Sequence, residues 1–187
     1  MMRILAISGS LRRASYNTTL LRAAAELLPP DVELVLHDGL REIPPYDDDL
    51  HQARPATVQR LWDEVAAADA VLVSTPEYNH SIPGQLKNAL DWLSRPLAQS
   101  PLKGKPAAVV GASTGIFGAV WAQAEARKVL AAIGARVLDR EMPVPSADEQ
   151  FDDAGRLHNS DLKTELLAVL EELIDATRAH ASATVAA

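Results

Sequence analysis

Cysteine is absent from the 187 residues of the chain, and so are long apolar runs. Without cysteine the protein can form no disulfide, hold no zinc ion through thiolates and use no thiol as a nucleophile. No apolar run approaches the roughly 20 residues needed to cross a bilayer, and the apolar stretch near Met1 is too short for a signal peptide. We therefore expect a cytoplasmic protein that does not associate with a membrane.

Positive charge is also scarce, because 18 lysines and arginines face 25 aspartates and glutamates, a formal net charge of −7 at pH 7. Nucleic-acid binding needs clustered positive side chains, so we expect no nucleic-acid partner. The chain length suits a single domain. We expect that domain to span residues 1–180, followed by a disordered tail of small residues at 181–187.

Strand-like and helix-like patterns alternate along the chain. Apolar, mostly β-branched runs predict five strands, at residues 3–8, 32–37, 69–74, 106–112 and 136–138. Apolar residues at helical spacing predict five helices, at 17–28, 57–68, 85–94, 118–133 and from 160 onward. Such an alternation indicates an α/β protein whose parallel sheet is covered by helices on both faces. The length favours the flavodoxin-like doubly wound strand order 2-1-3-4-5.

Three unusual loops follow the first, third and fourth predicted strands, at the sheet edge where such folds bind ligands. The first loop, at residues 8–18, leads into a helix N-terminus, which attracts anions. This loop carries hydroxyl, amide and guanidinium groups, which together predict a phosphate site. They belong to Ser10, Arg12, Arg13, Ser15, Asn17 and Thr18. It lacks the Gly-Lys-Ser/Thr of a Walker loop and the three glycines of a dinucleotide loop. The alternative is a capped helix with two solvated arginines.

The second loop, Thr75 to Gly84, is stiffened by prolines and predicts a rigid wall for a flat group, although a simple turn is the alternative. The third loop has glycines at 111, 115 and 118, which let backbone approach a ligand closely. It also leads into a helix whose positive dipole end we expect to face that ligand. Its alternative is a flexible turn. Together the loops predict a phosphorylated ligand with a planar head, and FMN fits that description.

The motifs of these loops resemble those of the NADPH-dependent FMN reductase family, which includes flavodoxin-like quinone, chromate and azo reductases. The matching residues are Gly9, Ser10, Leu11, Arg12, Ser15, Asn17, Pro76, Glu77, Tyr78, Asn79, Ser81, Pro83, Lys87, Asn88, Ala89, Asp91, Trp92, Ser113, Gly115 and Gly118. The resemblance implies FMN as cofactor and NADPH or NADH as electron donor. It implies that the FMN phosphate is held by Ser10, Arg12, Ser15, Asn17 and Thr18. It further implies that the ring is lined by Pro76, Glu77, Tyr78, Asn79, Ser113, Thr114 and Gly115.

The activity that the resemblance implies is hydride transfer from NAD(P)H through bound FMN to a small-molecule acceptor, such as a quinone, a flavin, an azo compound or a metal oxyanion. Because the flavin performs the chemistry, no catalytic side chain is expected. No metal site is expected either, since the acidic run at 47–49 is typical of a solvated loop. The family commonly dimerises, which implies a homodimer or homotetramer, with Trp92 and Trp121 either as interface anchors or as core residues.

Three other functions share this fold. A flavodoxin-type electron carrier would bind FMN without oxidising NAD(P)H, and a regulatory module would only sense the flavin. A phosphoryl-signalling receiver would need acidic residues after the first strand, where this chain has Ser8, Gly9 and Ser10. The sequence leaves open the acceptor, the preference between NADPH and NADH, and the choice between dimer and tetramer.

Overall fold

The computed structural model describes residues 1–50, 52–152 and 154–185. Within these residues it contains six strands and five α-helices. The strands are β1 (Met2–Ser8), β2 (Val32–His37), β3 (Ala70–Thr75), β4 (Pro106–Ala112), β5 (Arg136–Val137) and β6 (Pro143–Val144). The helices are α1 (Tyr16–Leu27), α2 (Ala56–Ala67), α3 (Gly84–Leu93), α4 (Val120–Ile133) and α5 (Ser160–Val185).

The strands form one parallel sheet in the order β2-β1-β3-β4-β5, which confirms the predicted order. All residues of β3 and β4 are buried, as expected for central parallel strands that are covered on both faces. Because every strand runs in the same direction, the loops after β1, β3 and β4 emerge at one edge. The predicted grouping of the three loops therefore holds.

Helices cover both faces of the sheet, as predicted. Leu5 and Ile7 of β1 belong to an apolar cluster that includes side chains of α2, α3 and α4. Their neighbours Ile4 and Ala6 point to the opposite face and join a cluster with α1 and α5. The alternation follows from the period of two along a strand. It divides the core into two layers and leaves the sheet edges for the loops.

The fifth strand is split into two short pieces. β5 pairs with the beginning of β4, whereas β6 pairs with its end, through Gly111 opposite Pro143 and Ala112 opposite Val144. The sequence pattern predicted a single strand at 136–138 and missed β6, because two residues are too few to show a period. β6 lies beside the carboxyl end of β4, where the third loop begins.

Helix α5 begins at the predicted position and runs further than predicted. Asn159 precedes it and accepts hydrogen bonds from the backbone N–H groups of Asp161, at 3.0 Å, and Leu162, at 3.2 Å. The expected tail begins at residue 181, yet the helix continues to Val185, because alanine favours helix and no glycine or proline follows Ser160. Residues 186 and 187 of that tail lie outside the described residues. The assignment of residues 1–180 to one FMN-binding domain stays a prediction.

None of the described helices combines the length and the apolarity that crossing a bilayer requires.

A buried asparagine ties α1 to the ends of the two central strands. The Asn17 amide nitrogen donates to the Ala112 carbonyl oxygen at 2.9 Å. Its oxygen accepts from the Ala112 N–H at 3.0 Å and from the Ser74 hydroxyl at 2.9 Å. Asn17 is only 3% exposed, so these bonds replace water that cannot reach the groups. This Asn17 tie fixes the first turn of α1 against β3 and β4.

Replacing Asn17 by alanine is expected to destabilise the protein by about 2–3 kcal/mol, because Ala112 and Ser74 would keep buried polar groups without partners. Urea unfolding followed by circular dichroism measures this change. The matched control is Gln59→Ala, which removes an amide that donates only to the Asp63 side chain on the surface, at 2.8 Å. The control is expected to change stability by no more than about 0.5 kcal/mol. Equal unfolding free energies for N17A and the wild type would contradict the role of the tie.

Candidate active site

A cavity of about 140 Å³ lies at the carboxyl edge of the sheet, between the three predicted loops. Its lining residues come from all three loops and are Ser10, Arg12, Ser15, Tyr16, Asn17, Pro76, Glu77, Tyr78, Ala112, Ser113 and Thr114. The structure therefore brings together every predicted site residue except Thr18, Asn79 and Gly115. Tyr16 and Ala112 were not predicted. Tyr16 is the first residue of α1, so a search for helix N-termini would have found it.

The N-terminus of α1 presents free donors to this cavity. The Ser15 hydroxyl caps the helix by accepting from the Thr18 N–H at 3.3 Å. Within the described residues, the backbone N–H groups of Tyr16 and Asn17 donate to no acceptor. The Ser10 hydroxyl and the Arg12 guanidinium line the same space. Two free amides at a positive helix end, with a hydroxyl and an arginine, form a donor set that fits the phosphate of FMN.

Two of the predicted phosphate ligands already have partners within the protein. Asn17 is among the residues that line the cavity, but the Asn17 tie uses its side-chain oxygen twice and its side-chain nitrogen once. The Thr18 hydroxyl donates to Ser8 Oγ at 2.9 Å and lines a neighbouring cavity instead. Their roles at the phosphate stay predictions. Asn17 also has a backbone N–H without an acceptor among the described residues, which the motif alone did not indicate.

The second loop is a tight hairpin. Tyr78 and Ser81 exchange two backbone hydrogen bonds, at 3.0 and 3.1 Å. Asn79 and His80 form its tip with φ of 53° and 60°, the left-handed pair that a type I′ turn requires. The tip position explains why Asn79 does not line the cavity, whereas Pro76 and Tyr78 do. The stiffness of this loop stays a prediction, and the two hairpin hydrogen bonds support it along with the prolines.

Glu77 connects the second loop to helix α4. Its Oε2 accepts hydrogen bonds from the backbone N–H groups of Trp121, at 3.0 Å, and Ala122, at 3.1 Å. Ala119, which precedes the helix with a φ of 63°, offers no capping side chain, so the carboxylate of Glu77 supplies the cap. The expectation that the positive end of α4 faces a bound ligand stays a prediction, and two of the N–H groups at that end are already bonded.

β6 and the turn after it hold the third loop in place. Ser113 donates its N–H to Val144 at 3.1 Å and accepts from the Ala147 N–H at 3.0 Å. At Gly118 φ is +57°, and an added Cβ would lie 2.7 Å from the Val144 nitrogen, so glycine is needed there. The Thr114 N–H donates to no acceptor among the described residues and is available to a ligand. Gly115 lies just beyond the cavity, where its N–H donates to Ser113 Oγ at 3.1 Å.

A group of large, exposed apolar side chains borders the cavity. We call this group the aromatic rim. Its members are Tyr78, Ile116, Phe117 and Trp121. The Trp121 ring contacts Phe117 and His80 edge-on, with ring centroids 4.8 Å apart in both pairs. Trp92, in contrast, is 1% exposed and donates its indole N–H to the Pro44 carbonyl at 2.9 Å. Trp92 is therefore a core residue, and Trp121 is a surface residue.

The acidic run at 47–49 makes local contacts. The Tyr46 hydroxyl donates to Asp48 at 2.5 Å, which raises the pKa of Tyr46. The Asp49 N–H donates to the Asp47 side chain at 3.0 Å. Within residues 1–50, 52–152 and 154–185, no three histidine, aspartate or glutamate side chains are grouped so that they could hold a metal ion.

Comparison with known proteins agrees with this geometry. The profile of a family described as NADPH-dependent FMN reductase matches residues 2–149. An NAD(P)H-dependent FMN reductase of Pseudomonas aeruginosa is 45% identical over 157 residues, which cover 83% of this chain and 84% of the relative. A quinone reductase of Escherichia coli is 38% identical over 141 residues, 74% of each chain.

A solved structure also resembles this protein closely. It is FerB of Paracoccus denitrificans, described as a flavoenzyme NAD(P)H:(acceptor) oxidoreductase. It superposes with a TM-score of 0.85 at 35% identity and covers 96% of this chain and 99% of its own. The profile match over most of the chain and relatives of this similarity lead to one conclusion: the chain belongs to the NADPH-dependent FMN reductase family.

Proposed function

We propose that the protein is an FMN-dependent NAD(P)H oxidoreductase that reduces quinones. One observation carries the proposal, namely the two free N–H groups of Tyr16 and Asn17 beside Arg12, in a cavity walled by the other two loops. A phosphate there would anchor a flavin whose ring reaches the second and third loops. The names of the relatives from P. aeruginosa and E. coli support both the cofactor and the quinone.

The protein's part in this reaction is to bind and to position. FMN, when bound, supplies hydride and electron transfer between NAD(P)H and the acceptor. The α1 N-terminus, Ser10 and Arg12 would hold its phosphate, and the hairpin at Tyr78 would lie against its ring. The free N–H of Thr114 would donate a hydrogen bond to a polar edge of that ring. No side chain needs to act as an acid or base, so we assign no catalytic residue.

We propose a broader acceptor range for the same site. Free flavins, azo compounds and metal oxyanions such as chromate are further candidates, and Arg12 and Arg13 beside the cavity would attract an anionic acceptor. Steady-state rates with a quinone, an azo dye, free FMN and chromate test this range. A rate with the quinone alone would reject the wider range. We also propose the cytoplasm as the place of action, and recovery of the protein outside that fraction would reject this location.

The purified protein is expected to carry FMN or to bind it when it is added. Under anaerobic conditions NADPH or NADH should bleach the flavin absorbance, and a quinone should restore it. This cycle tests the proposed function. A protein that binds no FMN would contradict the proposal. Bound FMN that NAD(P)H fails to bleach would favour the electron carrier or the flavin sensor instead.

Replacing Arg12 by alanine is expected to weaken FMN binding by about tenfold or more, because a charge-assisted hydrogen bond contributes about 1.5–3 kcal/mol. Riboflavin, which lacks the phosphate, should bind the variant and the wild type within about twofold of each other. Quenching of flavin fluorescence measures both affinities. The control is Arg136→Ala, which removes an exposed arginine at the start of β5. Equal losses for FMN and riboflavin would place Arg12 away from the phosphate.

We propose that the protein assembles as a homodimer or homotetramer through the aromatic rim, since exposed apolar groups of this kind favour interfaces. Trp121→Glu is expected to shift the protein to a smaller species in light scattering coupled to size exclusion. The control is Leu167→Glu, the same change at an exposed leucine of α5, which covers the face opposite α4. A monomeric wild type, or an unchanged mass for Trp121→Glu, would contradict the proposal.

A further inference from the structure

A second cavity, of about 220 Å³, opens between the carboxyl ends of β1 and β2. We call it the β2 cavity. The residues that matter in its lining are Ser10, Thr18, Arg22, His37, Asp38 and Arg41. It shares Ser10 with the first cavity, so the two are neighbours along the same sheet edge. The FMN site proposed above does not use Arg22, His37 or Arg41.

His37 gives the β2 cavity a buried polar atom without a partner. Its side chain is inaccessible to solvent, and its Nδ1 lies 2.6 Å from Glu64 Oε2. Among the described residues Nε2 has no hydrogen-bond partner, which is costly for a buried polar atom. Gly39 packs closely against this edge of the ring, since a Cβ there would lie 3.2 Å from Cε1 and 3.4 Å from Nε2. A ligand with a hydrogen-bonding group would satisfy this nitrogen.

The charges around the cavity favour an anion. Within the described residues, Arg22 makes no ion pair, and Arg41 donates only to the Leu11 carbonyl, at 2.5 Å. Of the described residues that line the cavity, only Asp38 carries a carboxylate, and Arg60 pairs with it. That pairing lowers the pKa of Asp38, and Arg60 also pairs with Glu64 at 2.9 Å. Two arginines, a buried imidazole and hydroxyls match the donor set that a phosphate monoester needs.

A third groove, of about 530 Å³, shares lining residues with each of the two cavities. Arg12 and Tyr78 line both this groove and the first cavity, whereas Arg41 lines both the groove and the β2 cavity. Arg13 adds a further positive charge to it. An extended ligand with several phosphates could therefore run from the hairpin at Tyr78 to the β2 cavity. Arginine side chains would lie beside it along the whole path. A pyridine dinucleotide has these features.

We propose that the β2 cavity binds the adenosine 2′-phosphate of NADPH and so makes the protein select NADPH over NADH. The inference rests on the proposed function for the identity of the donor. NADH has a hydroxyl group in place of this phosphate, and that hydroxyl would leave both Arg22 and Arg41 without an anionic partner. The selection would therefore come from charge at the β2 cavity and not from contacts to the nicotinamide.

Arg22→Ala tests the proposal without disturbing other contacts, because Arg22 is exposed and contributes to no other described ion pair. The variant is expected to raise the KM for NADPH about tenfold and to leave kcat unchanged. A tenfold increase corresponds to the loss of one charge-assisted hydrogen bond. The KM for NADH should stay within about twofold. Arg136→Ala, which removes the same charge at the far edge of the sheet, should change neither constant. Equal increases for NADPH and NADH, or no increase for either, would overturn the proposal.

A binding measurement separates this proposal from the proposed function. Calorimetry on the FMN-loaded protein should show that adenosine 2′,5′-bisphosphate binds more tightly than adenosine 5′-phosphate, and that Arg22→Ala removes the difference. Should the protein fail to oxidise NADPH while this difference persists, the proposed function fails and the phosphate site stands. Equal binding of the two nucleotides to the wild type would reject the site. Inorganic phosphate that matches the bisphosphate in affinity would assign the cavity to free phosphate and overturn the proposal.

Discussion

The Asn17 tie is the interaction on which the rest of the site depends. One buried amide bonds to Ser74 at the end of β3 and to Ala112 at the end of β4, while its backbone N–H stays free at the start of α1. Asn17 thus joins α1, which follows the first loop, to the strands that precede the second and third loops. It also contributes to the anion site. Because the amide is buried, a partly broken tie would leave polar groups without water, which makes the arrangement close to all-or-none.

The N-termini of α1 and α4, both at this edge, differ in their free backbone donors, and this difference bears on where an anion can bind. At α4, Glu77 bonds to the N–H groups of Trp121 and Ala122, so a protein carboxylate takes the positive end. At α1, Ser15 caps only the Thr18 N–H, and the N–H groups of Tyr16 and Asn17 have no acceptor among the described residues. An incoming phosphate therefore gains more at α1 than at α4. Glu77 lies on the second loop and bonds to the start of α4, which follows the third loop. It therefore fixes the position of these two loops relative to each other.

The sequence predicted the strand order, the two-sided covering of helices and the grouping of the three loops, because these follow from apolar periods and from chain direction. It did not predict β6, whose two residues show no period, nor the hairpin at Asn79 and His80. The cap from Glu77 to α4 was also missed, since it joins residues more than 40 positions apart. Thr18 shows the limit of a motif, because neighbouring hydroxyls on one loop can face different cavities. The sequence also did not predict the β2 cavity, because Arg22, His37 and Arg41 belong to three separate segments of the chain.

The central claim is that the phosphate of FMN occupies the N-terminus of α1, and amide NMR tests it most directly. Addition of FMN to the isotope-labelled protein should move the amide proton signals of Tyr16 and Asn17 downfield and slow their exchange with solvent. Riboflavin should affect the amide of Thr114 and leave Tyr16 and Asn17 almost unchanged. If FMN leaves the Tyr16 and Asn17 amides unchanged, or if riboflavin shifts them as much as FMN does, the account is contradicted.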